Sequence, residues 1–271
     1  SWDQSPPQPY PVTSLAIHRY QGEAETYIVA RGHLKAFSRG SDVQMIYYKE
    51  TAAEFIELDV SPVTDTITIE GSEIRYALQG DVAWPEADLV YATVWDKGVH
   101  AYVVDPDRGS IALITDENEL VSDLGDDRVV SMRFHEDHVV VGLDRLGADG
   151  GGLRRYTVQY QGDAPPDRND PDRDVAFIDP QNLFAASSGG SSGPDINSID
   201  INASGTVAAS TSDGLIIFPM SGFDGNLTWD DAWVDVTDWK DLGDVPEVGD
   251  SGFKGVAFDK ANPQYLYVLN H

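Results

Sequence analysis

Apolar residues recur at every second position through Leu89, Tyr91 and Thr93. The pattern breaks at Trp95-Asp96-Lys97-Gly98 and resumes with the same period at Val99, Ala101 and Val103. A period of two places alternate side chains on opposite faces of an extended chain, so Ala87 to Ile114 predicts a β-hairpin. A second turn, Asp105-Pro106-Asp107-Arg108-Gly109, leads into a third run at Ile111.

The same order of parts returns along the chain. Five segments share one register: Ser14-Leu15-Ala16-Ile17-His18, Asp81-Val82-Ala83-Trp84-Pro85, Ser131-Met132-Arg133-Phe134-His135, Ser198-Ile199-Asp200-Ile201-Asn202 and Gly255-Val256-Ala257-Phe258-Asp259. Their starts lie 67, 50, 67 and 57 residues apart, and each has a small or acidic residue followed by apolar second and fourth positions. Second strands follow at Thr26–Ala30, Leu89–Val94, Val139–Leu143, Val207–Ser210 and Tyr265–Leu269. Third strands opening on glycine are expected at Gly32, Gly98, Gly152 and Gly214, and fourth strands at Val43–Tyr48, Ile111–Thr115, Val175–Asp179 and Trp233–Val236. Thr51–Gly80, Asp163–Asp174 and Asp179–Asp195 read as insertions. The one helix-like window, Lys49–Asp59, alternates well enough to suit a strand equally.

Four antiparallel strands per unit at this spacing predict an all-β chain, a β-propeller with four full four-stranded blades and a partial fifth. The competing architecture is a pair of β-sandwich domains joined near Asp163–Asp174. Similar hairpins on both sides of that break favour the propeller. The phrase GTVAASTSDGLIIFPM, Gly205 to Met220, resembles the second-to-third strand hairpin of WD40, YVTN and LVIVD-type propellers. Residues 1–11, rich in proline, read as an extended lead-in, and 12–271 as the propeller domain. A fifth unit that stops after two strands predicts a fragment of a larger propeller or a partner chain at the open sheet edge, because free edges invite pairing.

Charge narrows the choice of partners. The chain of 271 residues has 46 acidic and 18 basic residues, a formal net charge of −28, which disfavours nucleic acid. Among the acids Asp outnumbers Glu by 34 to 12, a bias that resembles proteins of salt-loving organisms, whose carboxylates stay hydrated while salt screens their repulsion. Turn chemistry, which favours Asp, and calcium binding are the alternative explanations. No cysteine is present, which excludes disulfides and thiol chemistry, and no apolar run is long enough to predict insertion in a membrane as a helix.

Candidate chemistry falls in the loops that join second to third strands and fourth strands to the next first strand, which a propeller gathers on one face. They supply Trp95, Asp96, Lys97, Asp144, Arg145, Asp213, Asn197 and Trp239 as ligand-binding candidates: carboxylates and flat aromatic rings suited to a glycan, a cationic group or a protein loop. Read residue by residue, the same Asp side chains make turns and the Trp rings pack. The run from Asp167 to Asp174 places Asp170, Asp172 and Asp174 at alternating positions, a weak pattern for calcium. Val175 and Gln181 stand where an EF-hand loop needs glycine and glutamate, and the two arginines of the run can pair its carboxylates. Asn202 and Asn226 begin glycosylation sequons, which favours the outside of a cell. No cofactor is called for, with calcium the exception to test.

These features predict a non-enzymatic recognition module at a cell or virion surface, with a surface protein or glycan as partner, adapted to high salt. The alternatives are a divalent-cation-dependent hydrolase or lactonase, resembling calcium-dependent six-bladed propeller enzymes with Asp96, Asp144, Asp213 and Asn197 converging, and a structural assembly subunit.

Overall fold

A computed structural model describes residues 12–20, 25–33, 43–51, 54–62, 80–85, 88–94, 98–114, 120–121, 124, 127–145, 151–160, 175–183, 194–211, 214–224, 227, 229–234 and 253–270. They form four four-stranded antiparallel sheets and one two-stranded sheet, the blades of a β-propeller.

The first sheet holds β1 (Val12–His18), β2 (Thr26–His33), β3 (Val43–Glu50) and β4 (Phe55–Pro62). The second holds β5 (Val82–Ala83), β6 (Leu89–Val94), β7 (Gly98–Asp105) and β8 (Ser110–Leu113). The third comprises β9 (Asp127–His135), β10 (His138–Arg145), β11 (Gly151–Tyr160) and β12 (Val175–Leu183). The fourth comprises β13 (Ile196–Ile201), β14 (Thr206–Thr211), β15 (Leu215–Pro219) and β16 (Trp233–Val234), and β17 (Phe253–Phe258) pairs with β18 (Leu266–Asn270). Every sheet is a meander in which sequence neighbours are hydrogen-bonded neighbours. Among the described residues no strand changes sheet, as a Greek-key sandwich would require. Two short helical turns, Met220–Asp224 and Trp229–Ala232, join β15 to β16.

The first blade departs from the expected assignment. Gly32 and His33 finish β2 rather than open a third strand; that strand is Val43–Glu50, expected as the fourth. The true fourth strand, Phe55–Pro62, lies in the stretch read as an insertion and includes the end of the helix-like window, Phe55 to Asp59. A tight turn decides this. Thr51 N–H donates to the Glu54 carbonyl at 2.9 Å, and Glu54 N–H donates to Thr51 Oγ1 at 3.1 Å, which folds the chain back into a ladder from Glu50↔Phe55 to Gln44↔Pro62.

The chain divides into two compact units, one carrying β1 to β8 and the other β9 to β18. In the first, Val29, Tyr47, Val82, Val90, Tyr102 and Val104 bury between its two sheets. In the second, Val140, Leu153, Ile199, Val207 and Phe218 form one core, and Ala208, Leu215, Phe253 and Val256 another.

The repeat register appears again as hydrogen bonds between blades. Ser14 Oγ accepts from Val82 N–H at 3.1 Å, and Ser131 Oγ accepts from Ile199 N–H at 3.2 Å: in each case the first position of one segment holds the second position of the next. One step on, Asp200 Oδ2 accepts from Phe258 N–H at 2.6 Å, and Arg133 pairs with Asp200 at 3.4 Å.

Candidate functional site

Each blade brings the start of its inner strand, the end of its second and the start of its third to one end. The glycines at these third-strand starts have a backbone reason. Gly98, Gly151, Gly152 and Gly214 all have positive φ, and a Cβ on Gly151 would lie 2.3 Å from the Leu143 carbonyl oxygen. The chain can therefore turn tightly there and leave its loops at the end of the sheet.

Polar burial concentrates at this end. The buried polar residues among those described are Arg31, Ser61, Asp81, Thr93, Asp127, Ser131, Arg155, Ser210 and Thr211. All but Ser131 and Arg155 lie within three residues of the strand termini at the loop end. Burying a polar group costs free energy unless it is paired, so this layer is held by specific bonds.

In the first unit the layer is built on Arg31, only 1% exposed, near the end of β2. Burial pulls its guanidinium down to about 10, opposed by Tyr102 and by the Asp81 carboxylate, and it remains a cation at neutral pH. Gly80 leaves room for it: a Cβ there would stand 2.4 Å from Arg31 Cζ. Asp81 Oδ1 accepts from Ser14 Oγ and from its own following N–H, Val82, both at 2.9 Å. The Asp81 backbone closes on Thr93, whose Oγ1 accepts from Asp81 N–H at 2.8 Å. Burial raises the Tyr102 phenol, which stays neutral.

In the second unit, Asp144 and Arg145 end β10, where Asp144 stands opposite Arg128 and Arg145 opposite Asp127. Asp144 and Arg128 thus place opposite charges across the ladder near the mouth of the sheet. Asn197, on β13, donates from Nδ2 to the Phe253 carbonyl at 2.8 Å and so ties the fourth blade to the fifth. Thr211 closes the β14–β15 turn, with Oγ1 accepting from Gly214 N–H at 2.9 Å.

The sequence-derived candidates thus divide. Asp144, Arg145 and Asn197 come to the loop end of one unit. Trp95, Asp96, Lys97, Asp213, Trp239, the calcium candidates Asp170, Asp172 and Asp174, and the sequon residue Asn226 lie outside the described residues. Trp95-Asp96-Lys97 falls between the described ends Val94 and Gly98, and Asp213 between Thr211 and Gly214. Among the described residues, no three His, Asp or Glu side chains group as metal ligands.

Asn202 sits at the opposite end, in the β13–β14 turn. Its Oδ1 accepts from Ser204 N–H, Ser204 Oγ and Thr206 N–H at 3.1, 2.8 and 2.9 Å, while Nδ2 donates to the Pro263 carbonyl at 3.2 Å. A glycan on Nδ2 would leave that nitrogen a single N–H with which to keep the last bond. Arg31, Asp81 and Asp127 were not among the binding candidates chosen from the sequence; the one local signal was Asp81, a carboxylate where three other segments begin with serine.

No family model matches the chain, and no curated protein matches it. Solved structures do. U3-55K is 13% identical, with a TM-score of 0.50 over 95% of this chain and 60% of its own. A gluconolactonase from Xanthomonas campestris is 14% identical, TM-score 0.42, over 90% of this chain and 65% of its own. PorZ, a surface component of the type-IX secretion system of Porphyromonas gingivalis, is 11% identical, TM-score 0.42, over 94% of this chain and 39% of its own. The chain therefore spans under two thirds of the length of each of these three proteins. At 13% identity the likeness to U3-55K is one of fold.

Proposed function

We propose that this chain is a non-enzymatic recognition module that binds a surface protein or glycan through the loop end of its blades, outside the cell and in a salt-rich setting. The observation that carries the reading is the concentration of buried polar residues beneath that end in both units. Such a layer holds loops rigidly while leaving their tips free to vary, the arrangement that binding proteins place on a fixed scaffold. Asp144 and Arg128, opposite each other across the β9–β10 ladder, supply both signs of charge, suited to a partner rich in hydroxyl and amide groups. The net charge of −28 supports the high-salt setting.

Glycan and surface-protein arrays probed from low to molar KCl test this. A specific partner is expected, with binding lost in Asp144→Ala/Arg145→Ala and in Trp95→Ala/Asp96→Ala while circular dichroism is unchanged. No partner at any salt concentration, or a partner indifferent to both double variants, would refute it.

A further inference from the structure

The turn between β13 and β14 carries a carboxamide where a carboxylate would serve. In Asn202-Ala203-Ser204-Gly205 the backbone closes by itself: Gly205 N–H donates to the Asn202 carbonyl and Asn202 N–H to the Thr206 carbonyl, both at 3.0 Å, with Gly205 at a φ of 77°. Asn202 Oδ1 then accepts from the N–H groups of Ser204 and Thr206, which is work for an acceptor alone. Two other turns give that work to aspartate. Asp105 Oδ1 accepts from Asp107 and Arg108 N–H at 3.0 and 3.1 Å, and Asp259 Oδ1 from Ala261 and Asn262 N–H at 2.8 and 3.0 Å. Asp259 holds the same fifth place in its segment as Asn202. With 34 Asp to eight Asn, the chain departs here from its own usage, and what the departure adds is Nδ2.

That nitrogen carries two hydrogens. One goes to the Pro263 carbonyl at 3.2 Å, and the other has no acceptor among the described residues. Ala203 and Ser204 are exposed, and so are residues 260–265 of the neighbouring β17–β18 turn, so a bulky group on Nδ2 has solvent to occupy. The hydroxyl that a sequon requires two residues on is already against the amide, with Ser204 Oγ donating to Asn202 Oδ1 at 2.8 Å. The turn lies at the end of the blade away from the loops assigned to recognition.

We propose that Asn202 is the acceptor of an N-linked oligosaccharide. The assignment rests on the extracellular placement given above, because export brings the chain to a transferase and its lipid-pyrophosphate-linked donor. In the transfer, Nδ2 forms a bond to the anomeric carbon of the donor sugar and the bond from that carbon to the pyrophosphate oxygen breaks. The lipid pyrophosphate leaves with the electron pair, and Nδ2 gives up one proton to a base of the transferase. The N–H that remains keeps the Pro263 bond, and the glycan leaves the loop end uncovered.

Secretion of the full chain from a glycosylating host, beside a control glycoprotein, tests this. After release by peptide N-glycosidase in heavy-oxygen water, mass spectrometry is expected to find position 202 converted to an aspartate bearing heavy oxygen. Ser204→Ala should abolish that mark and Ser204→Thr keep it, with circular dichroism unchanged in both, since each retains the backbone N–H that Asn202 Oδ1 accepts. A secreted chain unmodified at Asn202 while the control is modified, or a mark that persists in Ser204→Ala, would overturn the assignment. Either result leaves the array test of recognition standing, and an array without a partner leaves the mass of this peptide unchanged.

Discussion

Replacement of Asp81 by Asn is expected to destabilise the first unit by about 1–3 kcal/mol, because it removes a buried carboxylate that accepts from Ser14 Oγ and Val82 N–H and whose charge favours the buried Arg31 cation. The structure isolates the cause. Val82 N–H donates both to Asp81 Oδ1 at 2.9 Å and to Ser14 Oγ at 3.1 Å, so it keeps a partner when the carboxylate is lost. What is not replaced is the negative charge facing Arg31, and an asparagine keeps the acceptor oxygen while removing only that charge. Arg31→Met/Asp81→Asn should therefore recover most of the loss, since replacing both partners removes the desolvation cost along with the attraction. Hydrogen–deuterium exchange of the β2 and β5 amides at fixed high KCl reads the local opening free energy without requiring the whole chain to unfold in two states. A loss under about 1 kcal/mol in Asp81→Asn, within the range of an exposed ion pair, or strict additivity in the double variant, would refute the reasoning.

Three further outcomes follow from the same geometry. Ser131→Ala leaves the buried Ile199 N–H without its acceptor and should cost about 1–3 kcal/mol, whereas Ser14→Ala should cost less because Asp81 still accepts from Val82 N–H; amide exchange at Ile199 and Val82 separates the two. Gly142→Ala drives a methyl into Ile196 and Ile199 and should destabilise the second unit by about 1–3 kcal/mol, measured by urea unfolding, and a neutral result would show that the contact relaxes. His18 stacks on Trp84 with ring centroids 5.1 Å apart, and burial lowers its pKa below 6.5. Its contribution to stability is thus present above 6.5 and lost as pH falls through the lowered folded value, a dependence that His18→Gln should flatten in thermal melts; titration of His18 by NMR at or above 6.5 would contradict this.

The loop end was legible in part because glycine marks it. The third-strand glycines recur in the sequence, and their positive φ is a local property that no other residue meets cheaply. The polar layer beneath was not legible. Arg31 reads as one more basic residue near a turn until β5 places Asp81 and Gly80 against it from 50 residues away. Asn202 shows the reverse: its sequon is plain in the sequence, but only the turn shows its amide already engaged on both sides.

The sequence by itself determined the strands, their repeat and the register between repeats, because side chains that alternate with period two and turns built on Gly, Asp and Asn are local, and local chemistry is written in adjacent residues. Even the first-blade misassignment was local, settled by the Thr51–Glu54 turn. Tertiary structure alone decided which polar residues are buried beneath the loop end and which apolar faces, on β1 and β18, are left exposed. Burial depends on what packs from another blade, and no pattern within a strand states that.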